Sequence, residues 1–214
     1  MRNQVLPWVV PGSARILDLG CGDGATLRAL HSPRGTFAVG VDLSSEGLKT
    51  AKALTPYAHF VCARGEQLPF RDECFDSVIC GVALPYMDIS RTLAEVRRVL
   101  KPSGGLWASL HSFRMVRKHW LRSLRAMDWR DLVCRTYVLL NGVVFHFMGR
   151  VFRLPLRPDR CESFQTRRGM RIALRRAGFT EEETVKFFVT TAIKPAVGET
   201  RTRSKQGQGS PARH

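Results

Sequence analysis

The sequence predicts a doubly wound α/β fold with a mostly parallel sheet and helices on both faces. From Ala14 onward, short runs of branched apolar residues alternate with helical patterns, which is typical of successive βαβ units. A glycine-rich turn follows the first of these runs, and a final apolar pair of runs lies within 183–194. Five parallel strands and this pair would form a seven-stranded, Rossmann-like sheet.

The first five strands are expected near residues 15–19, 37–42, 59–63, 77–80 and 106–110. Helices are expected between them at about 24–31, 45–54 and 89–100. In the last of these helices, Leu93, Val96 and Leu100 share a face at i, i+3, i+7 spacing, and the sequence Lys101-Pro102-Ser103-Gly104-Gly105 ends it.

A segment rich in Arg, Trp and Phe interrupts the alternation after the fifth strand. We predict that residues 112–161 form an insertion or lid on the substrate side of one catalytic domain, which spans 1–197 and includes a helix at about 166–177. Residues 198–214 have no aromatic or branched apolar side chain and are expected to form a disordered basic tail.

The net charge of +16 is concentrated in one region. Residues 111–180 carry 16 basic and 4 acidic side chains, whereas residues 1–110 carry 12 and 10. The positive charge therefore belongs to the insertion and the helix after it, and not to the part of the chain that holds the glycine-rich turn.

Other features exclude several classes of protein. The six cysteines form no C-x-x-C pair, and no His, Cys and carboxylate cluster has the spacing of a zinc site, so we expect no metal. Residues 1–11 lack the apolar run of a secretory signal, and the longest apolar run, 137–148, is shorter than the ~20 residues of a membrane span. A cytoplasmic protein is expected.

The glycine-rich turn, Asp18-Leu19-Gly20-Cys21-Gly22-Asp23-Gly24, is the strongest indication of a ligand site. Glycine lets the backbone approach a ligand closely, and the N–H groups at the helix start attract an anionic group, so a nucleotide-like cofactor is expected. Gly20, Gly22 and Ala25 also satisfy the dinucleotide pattern G-x-G-x-x-G/A, with Asp42 about 20 residues on. An NAD(P)-dependent reductase therefore stays open, although a Tyr-x-x-x-Lys pair and a separate substrate domain are lacking.

Four segments in a fixed order carry a family resemblance. They are the loop at 18–24, Gly40-Val41-Asp42-Leu43-Ser44, Glu66-Gln67-Leu68-Pro69-Phe70 followed by Cys74-Phe75-Asp76, and Val99-Leu100-Lys101-Pro102-Ser103-Gly104-Gly105. On these segments residues 14–110 resemble class I methyltransferases that use S-adenosylmethionine (SAM), especially the group that includes quinone-biosynthesis C-methyltransferases. The resemblance implies SAM as the cofactor.

The resemblance also implies particular cofactor contacts. Gly20 and Gly22 would line the methionine part of SAM, and Asp18 would be oriented toward its amino group. Asp42 would accept hydrogen bonds from both ribose hydroxyls, for which a carboxylate has enough acceptor sites. The complete predicted cofactor-binding set is Asp18, Gly20, Cys21, Gly22, Gly24, Asp42, Leu43, Gly65, Glu66, Gln67 and Gly81.

The chain departs from the family pattern at two places. Arg64 occupies the position where the family commonly has an Asp that binds the adenine amino group. An arginine cannot accept a hydrogen bond. Glu66, Gln67 or a backbone carbonyl is therefore expected to make the adenine contact instead. Only residues 1–13 precede the first strand, where the family usually has one or two helices that cover the cofactor. The cover would then come from the insertion or from another subunit, or be absent.

Tyr86 and His111 are the candidate catalytic residues, because they follow the fourth and fifth strands at the edge where open α/β sheets bind ligands. Methyl transfer is an in-line displacement that depends on positioning, and it needs a base only if the acceptor loses a proton. His111 is the candidate base, with a hydrogen-bonded histidine at a strand end as the alternative. Tyr86 would either act directly or pack beside the cofactor.

The acceptor is predicted only by class. The fourth strand is followed by Gly81-Val82-Ala83-Leu84-Pro85-Tyr86 and not by the Asn-Pro-Pro-Tyr type of loop that methylates amines and amides. This favours O- or C-methylation. The acceptor is expected to be small or lipid-like, and an acidic acceptor is included. The insertion leaves three interpretations open: an apolar lid, a pocket for an anionic or lipid-like substrate with peripheral membrane contact, and an RNA-binding face. An RNA methyltransferase or a methyltransferase-like RNA-binding protein is therefore an alternative, although nucleic acid is not favoured.

Overall fold

The structure, a computed structural model, describes residues 9–30, 35–152, 163–179 and 189–193. It confirms an α/β fold with a parallel sheet and helices. The strands are β1 Arg15–Leu19, β2 Phe37–Asp42, β3 His59–Cys62, β4 Phe75–Cys80, β5 Leu100–Ser109 and β6 Val189–Ile193. The helices are α1 Ala25–Ala29, α2 Ser45–Leu54, α3 Ile89–Val99, α4 Phe113–Arg125, α5 Trp129–Met148 and α6 Arg167–Arg176, with a 3-10 turn at Leu84–Tyr86.

The described strands form one sheet in the order β3-β2-β1-β4-β5-β6. The first five are parallel, and β6 is antiparallel to β5. The order reverses between β1 and β4, which is the point where open α/β sheets bind ligands at the carboxyl ends of their strands. The glycine-rich loop, which follows β1, therefore lies where a ligand is expected.

The prediction of seven strands is wrong for the described part of the chain, which holds six. The apolar pair predicted within 183–194 gives one strand there, β6, while 183–188 lie outside the described residues. An apolar run fixes the tendency to form a strand but not the number of times the chain crosses the sheet. The predicted tail, 198–214, also lies outside the described residues.

The fifth strand begins earlier than predicted, at Leu100 instead of residue 106. Phe75 pairs with Leu100 and Ser77 with Gly105, so β5 carries extra residues opposite β4. Ser103, within this irregular stretch, has a φ of 63°. The segment that ends α3 is thus taken directly into the sheet as a bulge, which a search for helix-ending residues does not reveal.

The predicted insertion contains a helical hairpin, α4 and α5. Capping explains where both helices begin, because Ser112 accepts a hydrogen bond from the Met115 N–H and Asp128 accepts from the Arg130 and Asp131 N–H groups. Gly149, with a φ of 62°, ends α5 in the left-handed conformation. No described helix combines the length and the apolar character that crossing a membrane requires.

The core lies on both faces of the sheet, as a doubly wound fold requires. On one face the cluster includes Leu93 of α3, Phe145 of α5 and Met170 of α6, all nearly inaccessible to solvent. On the other face α1 and α2 contribute Leu27 and Leu48 to a second cluster. Because Phe145 belongs to the main cluster, one side of the hairpin is anchored in the core of the domain.

Candidate cofactor and acceptor site

The glycine-rich loop after β1 has a backbone that only glycine adopts readily. Gly20 has a φ of 74°, and a Cβ added there would lie 2.0 Å from the Cβ of Ala83. The Gly20 and Cys21 N–H groups both donate to the Val41 carbonyl, at 2.7 and 3.1 Å. The loop is therefore held against the end of β2 on one side and against the segment after β4 on the other.

Asp42, at the end of β2, joins this loop to the start of α2. Its Oδ2 accepts a hydrogen bond from the Gly22 N–H and its Oδ1 accepts one from the Ser44 N–H, both at 2.8 Å. These bonds fix the plane of the carboxylate. Each oxygen keeps a further acceptor site, so Asp42 can both organise the loop and receive hydroxyl donors from a ligand.

A cleft opens between the loop and the segments after β3 and β4. Its lining contains six of the residues predicted from the sequence: Gly20, Asp42, Leu43, Gly65, Glu66 and Tyr86. The lining also contains Arg64, the departure from the family pattern, and five residues that the sequence did not predict: Leu19, Val41, Ala63, Ala83 and Met87. The predicted Asp18, Cys21, Gly22, Gly24, Gln67 and Gly81 are not in the lining.

The predicted residues outside the lining have different positions. Gly24 is in the left-handed conformation and lies against Ala51, Phe60 and Thr55, so it serves the packing of the first helix. Cys21 is buried, and burial raises the pKa of its thiol to about 12, which keeps it neutral. Gln67 is exposed at the surface.

Asp18 lies completely buried at the end of β1. Burial, with a smaller effect from Asp42, raises the pKa of its carboxyl from 3.8 to about 7. The Thr26 hydroxyl is near enough to oppose this rise in part, yet neither carboxylate oxygen reaches hydrogen-bonding geometry with any residue that the structure describes. A buried carboxyl without a partner is costly, so this position favours a ligand that can donate to it.

The segment after β3 replaces the expected adenine contact with a different arrangement. The Asp88 N–H donates to Glu66 Oε1 at 3.0 Å, and Arg64 Nε lies 3.8 Å from Glu66 Oε2. A Cβ on Gly65 would lie 2.7 Å from the Met87 sulfur, so glycine lets the Met87 side chain pass close to the cleft. Glu66 is the acidic group that the structure places at this end of the cleft.

The two candidate catalytic residues, Tyr86 and His111, lie close together. The rings of Tyr86 and His111 are nearly perpendicular, with centroids 5.5 Å apart. The His111 N–H donates to Gln165 Oε1 and the Gln165 N–H donates to the His111 carbonyl, both at 2.9 Å. Burial lowers the pKa of His111, so its imidazole is neutral near pH 7. Gln165 carried no sequence signal.

Comparison with known proteins agrees with this geometry. Residues 17–108 match a family model described as a methyltransferase domain. An uncharacterized methyltransferase of Mycobacterium bovis is 33% identical over 129 residues, which are 60% of this chain and 52% of the relative. A demethylmenaquinone methyltransferase of Symbiobacterium thermophilum is 37% identical over 153 residues, with 61% of each protein covered. The chain thus spans about half the length of the first of these relatives.

A solved structure supports the fold. A SAM-dependent methyltransferase from Methanosarcina mazei superposes with a TM-score of 0.57 at 21% identity, covering 88% of this chain and 95% of that one. The family match includes the loop, Asp42 and the whole cleft lining, and it favours SAM over the NAD(P) that the loop alone left open. Residues 17–108 therefore match the methyltransferase domain family, and the fold agrees with that of a SAM-dependent methyltransferase.

Proposed function

We propose that this protein transfers the methyl group of SAM to an oxygen or carbon atom of a small or lipid-like acceptor. The observation that carries the proposal is the buried carboxyl of Asp18, which has no hydrogen-bond partner among the described residues and lies at the base of the loop. The amino group of SAM is a cationic donor that would satisfy it. Binding of that group would favour the ionised carboxylate and reverse the effect of burial on its pKa.

The cleft offers contacts for the rest of the cofactor. Asp42 lines it and keeps acceptor capacity for the vicinal hydroxyls of the ribose. Glu66, at the other end of the lining, supplies a carboxylate for the adenine amino group in place of the Asp that Arg64 replaces. We therefore assign Asp42 to the ribose and Glu66 to the adenine, with Gly20 and Gly22 beside the methionine part.

The acceptor would bind beside Tyr86 and His111. A neutral imidazole can accept a proton, which suits a hydroxyl or an acidic carbon that loses its proton as the new bond forms. Tyr86 lines the cleft and is half-exposed, so an acceptor can reach it. The likeness to a demethylmenaquinone methyltransferase supports a quinone-like or lipid-like acceptor.

Calorimetric titration with SAM, S-adenosylhomocysteine and NADH tests the cofactor. We expect binding of both adenosyl compounds and none of NADH, and the opposite pattern would overturn the proposal. Incubation of cell extract with methyl-labelled SAM and the protein tests the acceptor. We expect label in lipid or small-molecule fractions, whereas label in RNA alone would make the protein an RNA methyltransferase.

A further inference from the structure

The helix α5 exposes an apolar stripe along most of its length. Its members are between 47% and 67% exposed: Trp129, Val133, Leu140, Val143 and Phe147. Their spacing of four, seven, three and four residues puts them on one face of the helix, over roughly 27 Å. The apolar face of a surface helix normally points to the core, and in α5 Val138 and Phe145 already do so. The helix is therefore apolar on two sides, one of which nothing in the described chain covers.

The helix α4 lies beside this stripe and is strongly basic. The indole N–H of Trp120 donates to the Thr136 hydroxyl at 3.0 Å, and Thr136 lies in the gap between Val133 and Leu140. Four exposed basic residues follow one face of α4 at spacings of four, four and three: Arg114, Lys118, Arg122 and Arg125. A basic stripe and an apolar stripe thus run along the two helices of one hairpin.

The charge of the hairpin is not neutralised from within. From Phe113 to Met148 there are seven Arg and Lys residues and two acidic residues. Asp128 caps α5, and Asp131 pairs with Arg135 at 3.2 Å. Among the described residues no carboxylate lies within ion-pair distance of the four basic side chains of the α4 stripe.

Guanidinium groups also lie at both ends of the apolar stripe. Arg130 is 5.4 Å from the ring centroid of Trp129, and Arg168 is 5.6 Å from that of Phe147. Arginine and tryptophan side chains combine an apolar body with a polar end, which suits a boundary between hydrocarbon and water. The ends of the stripe therefore have the composition of an interfacial helix.

We propose that the α4–α5 hairpin docks on the surface of an anionic lipid membrane, with the stripe of α5 among the acyl chains and the basic stripe of α4 at the headgroup phosphates. Charge complementarity selects this occupant. A second copy of the chain would bring an equally basic surface, and RNA would leave Val133, Leu140 and Val143 without an apolar counterpart. Docking rests on the surface alone and not on the proposed reaction, although it would bring the nearby His111 toward membrane-borne acceptors.

Co-sedimentation of the full chain with lipid vesicles tests the docking. We expect binding to vesicles of phosphatidylcholine with phosphatidylglycerol, little binding to pure phosphatidylcholine, and weaker binding at high salt. The double variant Val133→Ser, Leu140→Ser should lower partitioning about tenfold. Leu54→Ser, on α2 and 53% exposed, is the matched control and should leave it unchanged.

The basic stripe has a separate test. Arg114→Gln with Lys118→Gln should lower binding to the anionic vesicles about tenfold at low salt, because each basic side chain contributes near a charged surface. Lys49→Gln with Lys52→Gln, exposed on α2, removes the same charge elsewhere and should have a much smaller effect. Circular dichroism of each variant confirms that it is folded.

Four results would overturn the proposal. Equal binding to neutral and anionic vesicles, or equal losses in the α2 controls, would remove the role of this face. A dimer in light scattering that the Val133→Ser, Leu140→Ser variant converts to a monomer, without vesicle binding by the wild type, would assign the face to self-association. Binding of single-stranded RNA that only the charge variant weakens, again without vesicle binding, would assign it to RNA.

Discussion

The loop after β1 and the hairpin after β5 lie at the same carboxyl edge of the sheet, but they are built in opposite ways. In the loop the N–H groups of all three glycines and of Cys21 donate within the protein, and Gly20 is held between Val41 and Ala83 with no room for a side chain. In the hairpin, apolar groups on α5 and charges on α4 face solvent. The loop is therefore defined by close packing of its backbone, whereas the hairpin is defined by its exposed apolar and basic side chains.

This difference shows two kinds of evidence for function. A ligand site that depends on backbone geometry leaves residue types at fixed spacings, which can be read from a single sequence. A docking surface is visible in the sequence only as an amino-acid composition, because the same Leu or Arg can face either the core or the solvent. Only the solvent exposure of such a residue shows which way it faces, and exposure is known only from the folded structure.

Gly20→Ala is the strongest test of the close packing in the loop. The added methyl group would lie 2.0 Å from the Cβ of Ala83, at a φ of 74° that alanine adopts poorly, so we expect a loss of about 3 kcal/mol in the free energy of unfolding. Gly22→Ala is the control, because its φ is 52° but nothing lies within 4 Å of the new atom, and it should cost about 1 kcal/mol. Urea unfolding measures both, and equal losses would show that strain and not contact excludes the side chain.

His111→Asn tests the acceptor side of the same edge. We expect kcat to fall about a hundredfold with little change in the KM for SAM, because a base acts on the acceptor and not on the cofactor. The wild-type kcat should rise with pH through a pKa below the usual 6.5 of histidine, and the variant should lose that rise. His119→Asn, in α4, is the matched control. An unchanged kcat would leave His111 as a strand-end residue that only binds Gln165.

The parts of the fold that the sequence predicted are those that local chemistry controls. The first four strands and the loop follow from apolar runs and glycine spacing within a few residues of one another. The early start of β5 depends on its pairing with Phe75, and the support of His111 depends on Gln165, 54 residues away. Such long-range contacts leave no local pattern.

The hairpin could have been predicted more closely. Ser112 and Asp128 are N-cap residues in front of helical patterns, and both signals are present in the sequence. A composition rich in Arg and aromatic residues does not by itself define where helices begin. The cleft residues Ala83 and Met87 had no such signal, since small and apolar residues after a strand have no chemistry of their own.

The pH dependence of the free energy of unfolding tests the burial of Asp18. On folding its pKa rises from 3.8 to about 7, so the folded protein keeps a proton that the unfolded chain has lost. Unfolding between these values releases the proton, and the free energy of unfolding of the SAM-free protein should therefore fall by about 1.4 kcal/mol per pH unit from this group. Urea unfolding at pH 5 and pH 7 should show a difference of about 2 kcal/mol that Asp18→Asn removes, since the slope flattens as the pH nears the folded-state pKa. An identical slope in both proteins would contradict the assignment.

Asp42→Asn should weaken SAM binding by about tenfold or more in calorimetry. An amide keeps one acceptor oxygen, but its NH2 group would face a backbone N–H from Gly22 or Ser44, so both the loop and the ribose contact are affected. Asp23→Asn changes an exposed acid of the same loop, whose partner is Arg28, and should alter the affinity less than about twofold. Equal losses would indicate a general effect of charge instead of a contact at Asp42.

Val133→Ser should have the smallest effect on stability, within about 0.5 kcal/mol, because the side chain is already 62% exposed. Val138→Ser makes the same change on the same helix at a residue that is 6% exposed, and it should cost about 2 kcal/mol from lost packing and a buried hydroxyl. Thermal and urea unfolding without lipid compare the pair directly. If Val133→Ser cost as much as Val138→Ser, the stripe would be covered in the free protein, and the contrast between a loop defined by fit and a hairpin defined by exposure would fail.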